Sequence, residues 1–193
     1  MARLILLNGP PGIGKSTLAR RWVAEQTAAV VVEIDALRTS IDGWQDDAGT
    51  KVEARRMAID VADAHLRGGY DVIVPQYLGR TEFIEELEGT AEAAGARFIE
   101  VHVHADEDEV VARFDARRAD LAGSDHPEQE VDDIRAAVAE AMGRLRAVAG
   151  QRPGVATITA HEDEERALAE LTIALDDVGP EGGTPSPTTT DAG

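Results

Sequence analysis

The chain contains no cysteine, so disulfide staples and thiolate catalysis are both excluded. Lysine is almost as scarce. Of 19 basic residues only Lys15 and Lys51 are lysines, and the rest are arginines. No apolar run approaches the roughly 20 residues that span a bilayer. The opening MARLILLNGP is also too short for a span or a secretory signal, so a cytoplasmic protein without a membrane partner is expected. Positive charge is in deficit, with 37 acidic residues, 19 basic residues and a formal net charge of -18. That balance argues against nucleic acid as the partner.

What remains is ordinary for a globular chain. With 193 residues, 43% of them hydrophobic, it is long enough to bury one full core. Short apolar runs alternate with helical patterns. Strands are expected at 3–8, 28–35, 70–75, 96–104 and 155–160. Helices are expected at about 15–26, 51–69, 81–95, 106–123, from about 130 to 148, and at 163–175. This alternation predicts an α/β fold, a parallel sheet covered on both faces by helices. The expected organisation is one domain over 1–176, followed by a disordered acidic, Pro-Thr-rich tail at 177–193.

The segment GPPGIGKST, residues 9–17, satisfies G-x-x-x-x-G-K-[ST] and stands between the first expected strand and helix. Glycines let the backbone curl so that successive N–H groups face phosphate oxygens, and the helix adds its positive end. Gly9, Pro10, Pro11, Gly12, Ile13, Gly14, Lys15, Ser16 and Thr17 are thus the expected nucleotide-binding set. Lys15 would reach the β- and γ-phosphates of ATP, and the Ser16 hydroxyl would be a Mg2+ ligand. A chain that otherwise uses arginine keeps lysine where a compact ammonium is required.

Further candidates lie along the chain. Arg113 and Arg117 are four apart and share a helix face. Trp44, in the polar stretch IDGWQDD, could close over a substrate or simply pack its loop. His102 and His104 share one face of a strand, but no third metal ligand is evident. The third strand, VIVP, ends in Pro75 and Gln76, where a phosphate-loop enzyme usually has a carboxylate for magnesium. Gln76 is a weaker ligand for a hard cation. Tyr77 and Arg80 follow at the expected cleft mouth.

GPPGIGKST, the order of elements and Arg113-x-x-x-Arg117 resemble the small P-loop kinases: nucleoside-monophosphate, shikimate and gluconate kinases and antibiotic phosphotransferases. VIVP is similar to the strand end of tunicamycin-resistance ATP-binding proteins. The resemblance implies a three-layer α/β/α domain, a five-stranded parallel sheet in the order 2-3-1-4-5, and a helical lid at about 113–130. It implies that Asp35, after VVVEI, orients or deprotonates an acceptor hydroxyl or contacts magnesium through water; the competing reading of Asp35 is a helix N-cap. Glu33 is a weaker candidate for the same role. Arg113 and Arg117 would meet the transferring phosphates and the adenine, and Arg152 would lie beside adenine. Arg38, Arg55 and Arg56 fall in the acceptor segment of such kinases. The implied activity is ATP-dependent transfer of the γ-phosphate to a hydroxyl of a small molecule, with antibiotics and secondary metabolites as the sharper expectation. An ATP-binding regulatory protein and a nucleotide or polynucleotide kinase are the alternatives. Nothing in the sequence fixes the oligomeric state.

Overall fold

The computed structural model describes residues 1–44, 49–120, 133–161 and 163–177, apart from the side chains of Arg117, Arg118 and Asp120. Most of the expected lid and the tail beyond residue 177 lie outside the described residues. The elements follow in the order β1 (Arg3–Asn8), α1 (Lys15–Ala24), β2 (Val30–Val31), α2 (Ile34–Thr39), α3 (Gly49–Arg67), β3 (Val72–Gln76), α4 (Glu82–Ala93), β4 (Arg97–His104), α5 (Glu107–Asp120), α6 (Ile134–Gln151), β5 (Ala156–Thr159) and α7 (Glu164–Asp177).

The five strands form one sheet in the order β2-β3-β1-β4-β5, and every pairing is parallel. This is the order that the resemblance implied. In β1, Leu4, Ile5, Leu6 and Leu7 are each 0% exposed, as expected for a strand buried on both faces. Alternation along the strands divides the core. Ile5, Leu7, Val101 and Ile158 face α1, α7 and the start of α5, whereas Leu4, Leu6, Val72 and Val74 face α3 and α4. The stripe Ala54, Ala58, Ala62 and Leu66, spaced by four, lets α3 lie close to the sheet. Among the described residues no helix is long and apolar enough to cross a membrane.

The second strand is much shorter than the expected 28–35. Its ladder stops at Val31, Val32 still donates to the Ile73 carbonyl, and the chain then enters α2 with Glu33 as N-cap. Asp35 is therefore in the first turn of a helix rather than at a strand end, and it is not the N-cap. A carboxylate is favoured there by the helix dipole. The short β2 also accommodates Pro75. Since Ile73 faces β2, Pro75 two residues on does too, at a level where β2 has already ended, and no ladder bond is lost to the missing N–H.

Candidate active site

The phosphate loop connects β1 to α1 at the carboxyl edge of the sheet. Gly12 and Gly14 have φ of +80° and +91°, a left-handed region in which other residues are strained. Gly9 is required for a different reason: a methyl there would come within 2.6 Å of the Val103 carbonyl oxygen. The Lys15 ammonium folds back over the loop and donates to the carbonyls of Gly9 and Pro10 at 2.9 and 2.7 Å. Asn8 ties the loop's base to the segment after β3, donating to the Leu78 carbonyl at 3.1 Å and accepting from its N–H at 2.9 Å. Asn8 is fully buried and both ends of its amide are satisfied.

Two cavities flank this loop. A cleft of about 700 Å3 is lined by Gly12, Lys15, Ser16 and Thr17, by Glu33, Asp35 and Thr39 around α2, and by Pro75, Gln76 and Tyr77 after β3. Arg20 also reaches the cleft and pairs with Glu33 at 2.5 Å. The second cavity, about 310 Å3, shares Gly14, Lys15 and Thr17 but opens towards α5 and the end of β5. Its lining includes Ile13, Leu18, Val103, Arg113, Ala160, His161 and Ala167. Arg113 donates to the Ile13 carbonyl at 3.4 Å and pairs with Glu109 at 2.6 Å. His161 contacts Glu170 at 2.7 Å, which fixes its ring on the cavity wall.

Sequence reasoning did not find this second cavity. Ile13, Gly14, Lys15, Thr17 and Arg113 belong to motifs read from the sequence, but the rest of the lining comes from α1, β4, β5, α7 and the segment joining β5 to α7, and no motif marks those residues. Arg152, expected beside adenine, instead ends α6 in an ion network around the buried Glu100 carboxylate. It bonds Glu100 at 2.5 Å and Glu88 at 2.9 Å and stacks over Phe98, with no part in either cavity. Glu100 also accepts from His102 at 2.8 Å. Burial alone would raise the Glu100 carboxyl, but its bonds to His102 and Arg152 outweigh burial and hold it below the ordinary carboxylate range.

The expected acceptor residues divide. Gln76, Tyr77 and Asp35 line the large cleft. Arg38 does not: it stacks over Trp44, 5.0 Å from the ring centroid, and bonds the Trp44 carbonyl and Thr50. Arg55 stacks over Phe83 at 5.0 Å, Arg56 pairs with Glu53 and Asp60 along α3, and Arg80 is exposed outside the cleft lining. The side chain of Arg117 lies outside the described residues. Burial raises the Tyr77 phenol above its usual pKa, opposed in part by Arg144 and reinforced by Glu140. It is thus a neutral hydrogen-bond donor at physiological pH.

The donor set suits a hard cation. The Ser16 hydroxyl, the Asp35 carboxylate and the Gln76 amide oxygen line one cleft, and phosphates and waters would complete the shell of a magnesium ion. Among the described residues no group of three or more His, Asp or Glu side chains could hold a metal without such help.

The family model for the AAA domain matches residues 4–141. This chain is a P-loop kinase-like member of that family. It is 32% identical over 150 residues to an adenylate kinase of Clavibacter michiganensis subsp. michiganensis, the match spanning 68% of this chain and 71% of that one. The tunicamycin resistance protein of Deinococcus radiodurans has the same fold, with a TM-score of 0.55 at 19% identity over 89% of this chain and 96% of that one. So does a chain of an RNA repair complex, with a TM-score of 0.65 at 21% identity over 78% of this chain. This chain spans only 46% of that protein's length. A fold neighbour in RNA repair removes the basis for excluding nucleic acid on net charge alone.

Proposed function

We propose that this protein is an ATP-dependent phosphotransferase that passes the γ-phosphate to a hydroxyl of a small molecule, with antibiotics or other secondary metabolites as the favoured acceptor class. The observation that carries this reading is the pair of cavities meeting at Lys15. One active site thereby offers separate room for a nucleotide base and for an acceptor, with the phosphate loop between them.

The adenine enters the smaller cavity against Ile13, Leu18 and Ala160, and the triphosphate crosses the loop. Lys15 exchanges its two carbonyl partners for phosphate oxygens, and Arg113, already on the loop, neutralises charge that develops during transfer. Arg117 is proposed to share that task. Bound magnesium supplies charge neutralisation and orientation of the phosphates, with Ser16 and Asp35 as the groups that would hold it. Asp35 accepts the proton of the acceptor hydroxyl as its oxygen bonds to the γ-phosphorus. The bond to the β-bridging oxygen breaks and ADP leaves. Gln76 and the Tyr77 hydroxyl orient the acceptor.

The adenylate kinase relative favours a second reading, in which the acceptor is a nucleoside monophosphate. Such an acceptor needs uncommitted cations. Among the described residues lining the large cleft the one arginine is Arg20, which Glu33 already neutralises. A neutral, hydroxylated acceptor suits that wall better. A panel of hydroxylated metabolites, antibiotics, AMP and 5′-hydroxyl oligoribonucleotides, assayed for stimulated ADP release and for the new phosphate ester by phosphorus NMR, tests the reading. Stimulation by small alcohols supports it; stimulation by AMP or the oligonucleotides alone replaces it.

A further inference from the structure

A third cavity lies on the other side of the phosphate loop from the base pocket, between the ends of β1 and β4 and the helix α6. Its volume is about 220 Å3, and Gly9, Pro10, His102, Met142, Leu145 and Arg146 line it. None of the roles assigned above uses it. The wall is largely apolar, with Asn8 and Thr157 as neutral polar groups and no carboxylate among the lining residues. Arg146 carries a permanent positive charge, and His102 and His104 add imidazoles.

Two features set this wall apart from ordinary surface. First, most arginines of this acidic chain are neutralised by neighbouring carboxylates, such as Arg144 by Glu140 one turn away. Arg146 faces no such partner among the described residues. Second, His102 is held from behind by a chain of charges that starts at a buried carboxylate. Glu100, whose side chain is 2% exposed, bonds His102 on one side and Arg152 on the other, and Arg152 continues to Glu88. A carboxylate buried in a strand is costly unless it is fully paired. Here the pairing fixes the orientation and tautomer of an imidazole at a cavity wall.

We propose that this cavity is a second ligand site, for a compact organic carboxylate. Arg146 binds the carboxylate, the His102 ring held in place by Glu100 closes one wall, and Met142 and Leu145 cover the apolar body. The volume falls below the roughly 300–1,000 Å3 typical of drug-sized ligands, so the occupant is a single ring or a short branched acid rather than a nucleotide. Gly9 and Pro10 form the wall shared with the active site, and their carbonyls are those that hold Lys15. Occupancy therefore bears on the loop that binds phosphate, as an effector would.

Benzoate is a suitable probe, with neutral benzamide as its control. The isotope-labelled full chain is titrated with each by two-dimensional amide NMR, in saturating MgADP so that the phosphate loop is already filled. The expected result is a saturable shift of amides at 102–104 and 145–149 with benzoate. Replacing benzoate by benzamide, or Arg146 by Gln, should weaken binding roughly tenfold, the scale of a charge-assisted hydrogen bond. Arg146 is exposed, so R146Q is expected to fold. Unsaturable shifts, shifts confined to 9–17, or equal affinity in R146Q would overturn the proposal. The result is independent of phosphotransfer: an inactive protein that binds benzoate here would leave this site standing, and the reverse also holds.

Discussion

The guanidinium of Arg113 reaches from α5 to the phosphate loop, its Nη1 3.4 Å from the carbonyl oxygen of Ile13. A second bond, to Glu109 one turn back on the same helix, fixes its direction. The cation is thus in place before any nucleotide arrives. Arg113→Ala is expected to lower kcat by about 100-fold or more in steady-state assays, with thermal stability nearly unchanged. Arg113→Lys should recover part of the loss, because a point charge replaces the fork. A kcat close to wild type in Arg113→Ala would remove this residue from the transfer step.

Gly9 answers to packing rather than to φ. The Cβ of Gly9→Ala would meet the Val103 carbonyl at 2.6 Å, a backbone atom that cannot swing aside. The expected cost is roughly 1–3 kcal/mol, the usual range for overpacking, together with weaker ATP binding because loop and strand must separate. Denaturant unfolding and nucleotide titration of the same variant measure both.

Glu100 gives a pH prediction. Its folded pKa is depressed, so its contribution to stability is present above the unfolded value of roughly 4.3. That contribution is lost as pH falls through the lower folded value. Wild-type stability should therefore fall steeply below about pH 4.5, with part of the slope due to this group. Glu100→Gln should flatten that part of the profile while costing roughly 3 kcal/mol near neutrality, because Arg152 loses its buried partner. Chemical unfolding from pH 3 to 7 compares the two proteins. Parallel profiles would show that Glu100 carries no such linkage.

The phosphate loop and the parallel α/β class were legible in the sequence because each rests on local signals, a fixed spacing of glycine, lysine and serine, and the alternation of apolar runs with helices; the strand order came from the resemblance to small P-loop kinases. Three features were not. VVVEID has the composition of a long strand, yet the sheet edge ends at Val31 and the chain turns into α2, so tertiary pairing overrode β-propensity. Arg152 precedes Pro-Gly like a loop residue, but the carboxylates of Glu88 and Glu100 claim it, partners 64 and 52 positions away. Only the phosphate-loop and Arg113 side of the smaller cavity carries a motif, and His161 and Ala160 on its other wall could be found only once β5 lay beside β4. Pro75 is the converse case. Its place at the strand end was readable, and the structure adds the reason it is tolerated, an adjoining strand that has already stopped.

The account depends most on Asp35, the carboxylate that faces the phosphate loop across the large cleft where β3 offers only Pro75 and Gln76. The most direct measurement pairs ATP affinity, by calorimetry, with acceptor-dependent ADP release for wild type and Asp35→Asn. ATP binding within about threefold of wild type, with release reduced by at least about 100-fold, is the predicted result. Release that is independent of acceptor and equal in the two proteins would contradict the account.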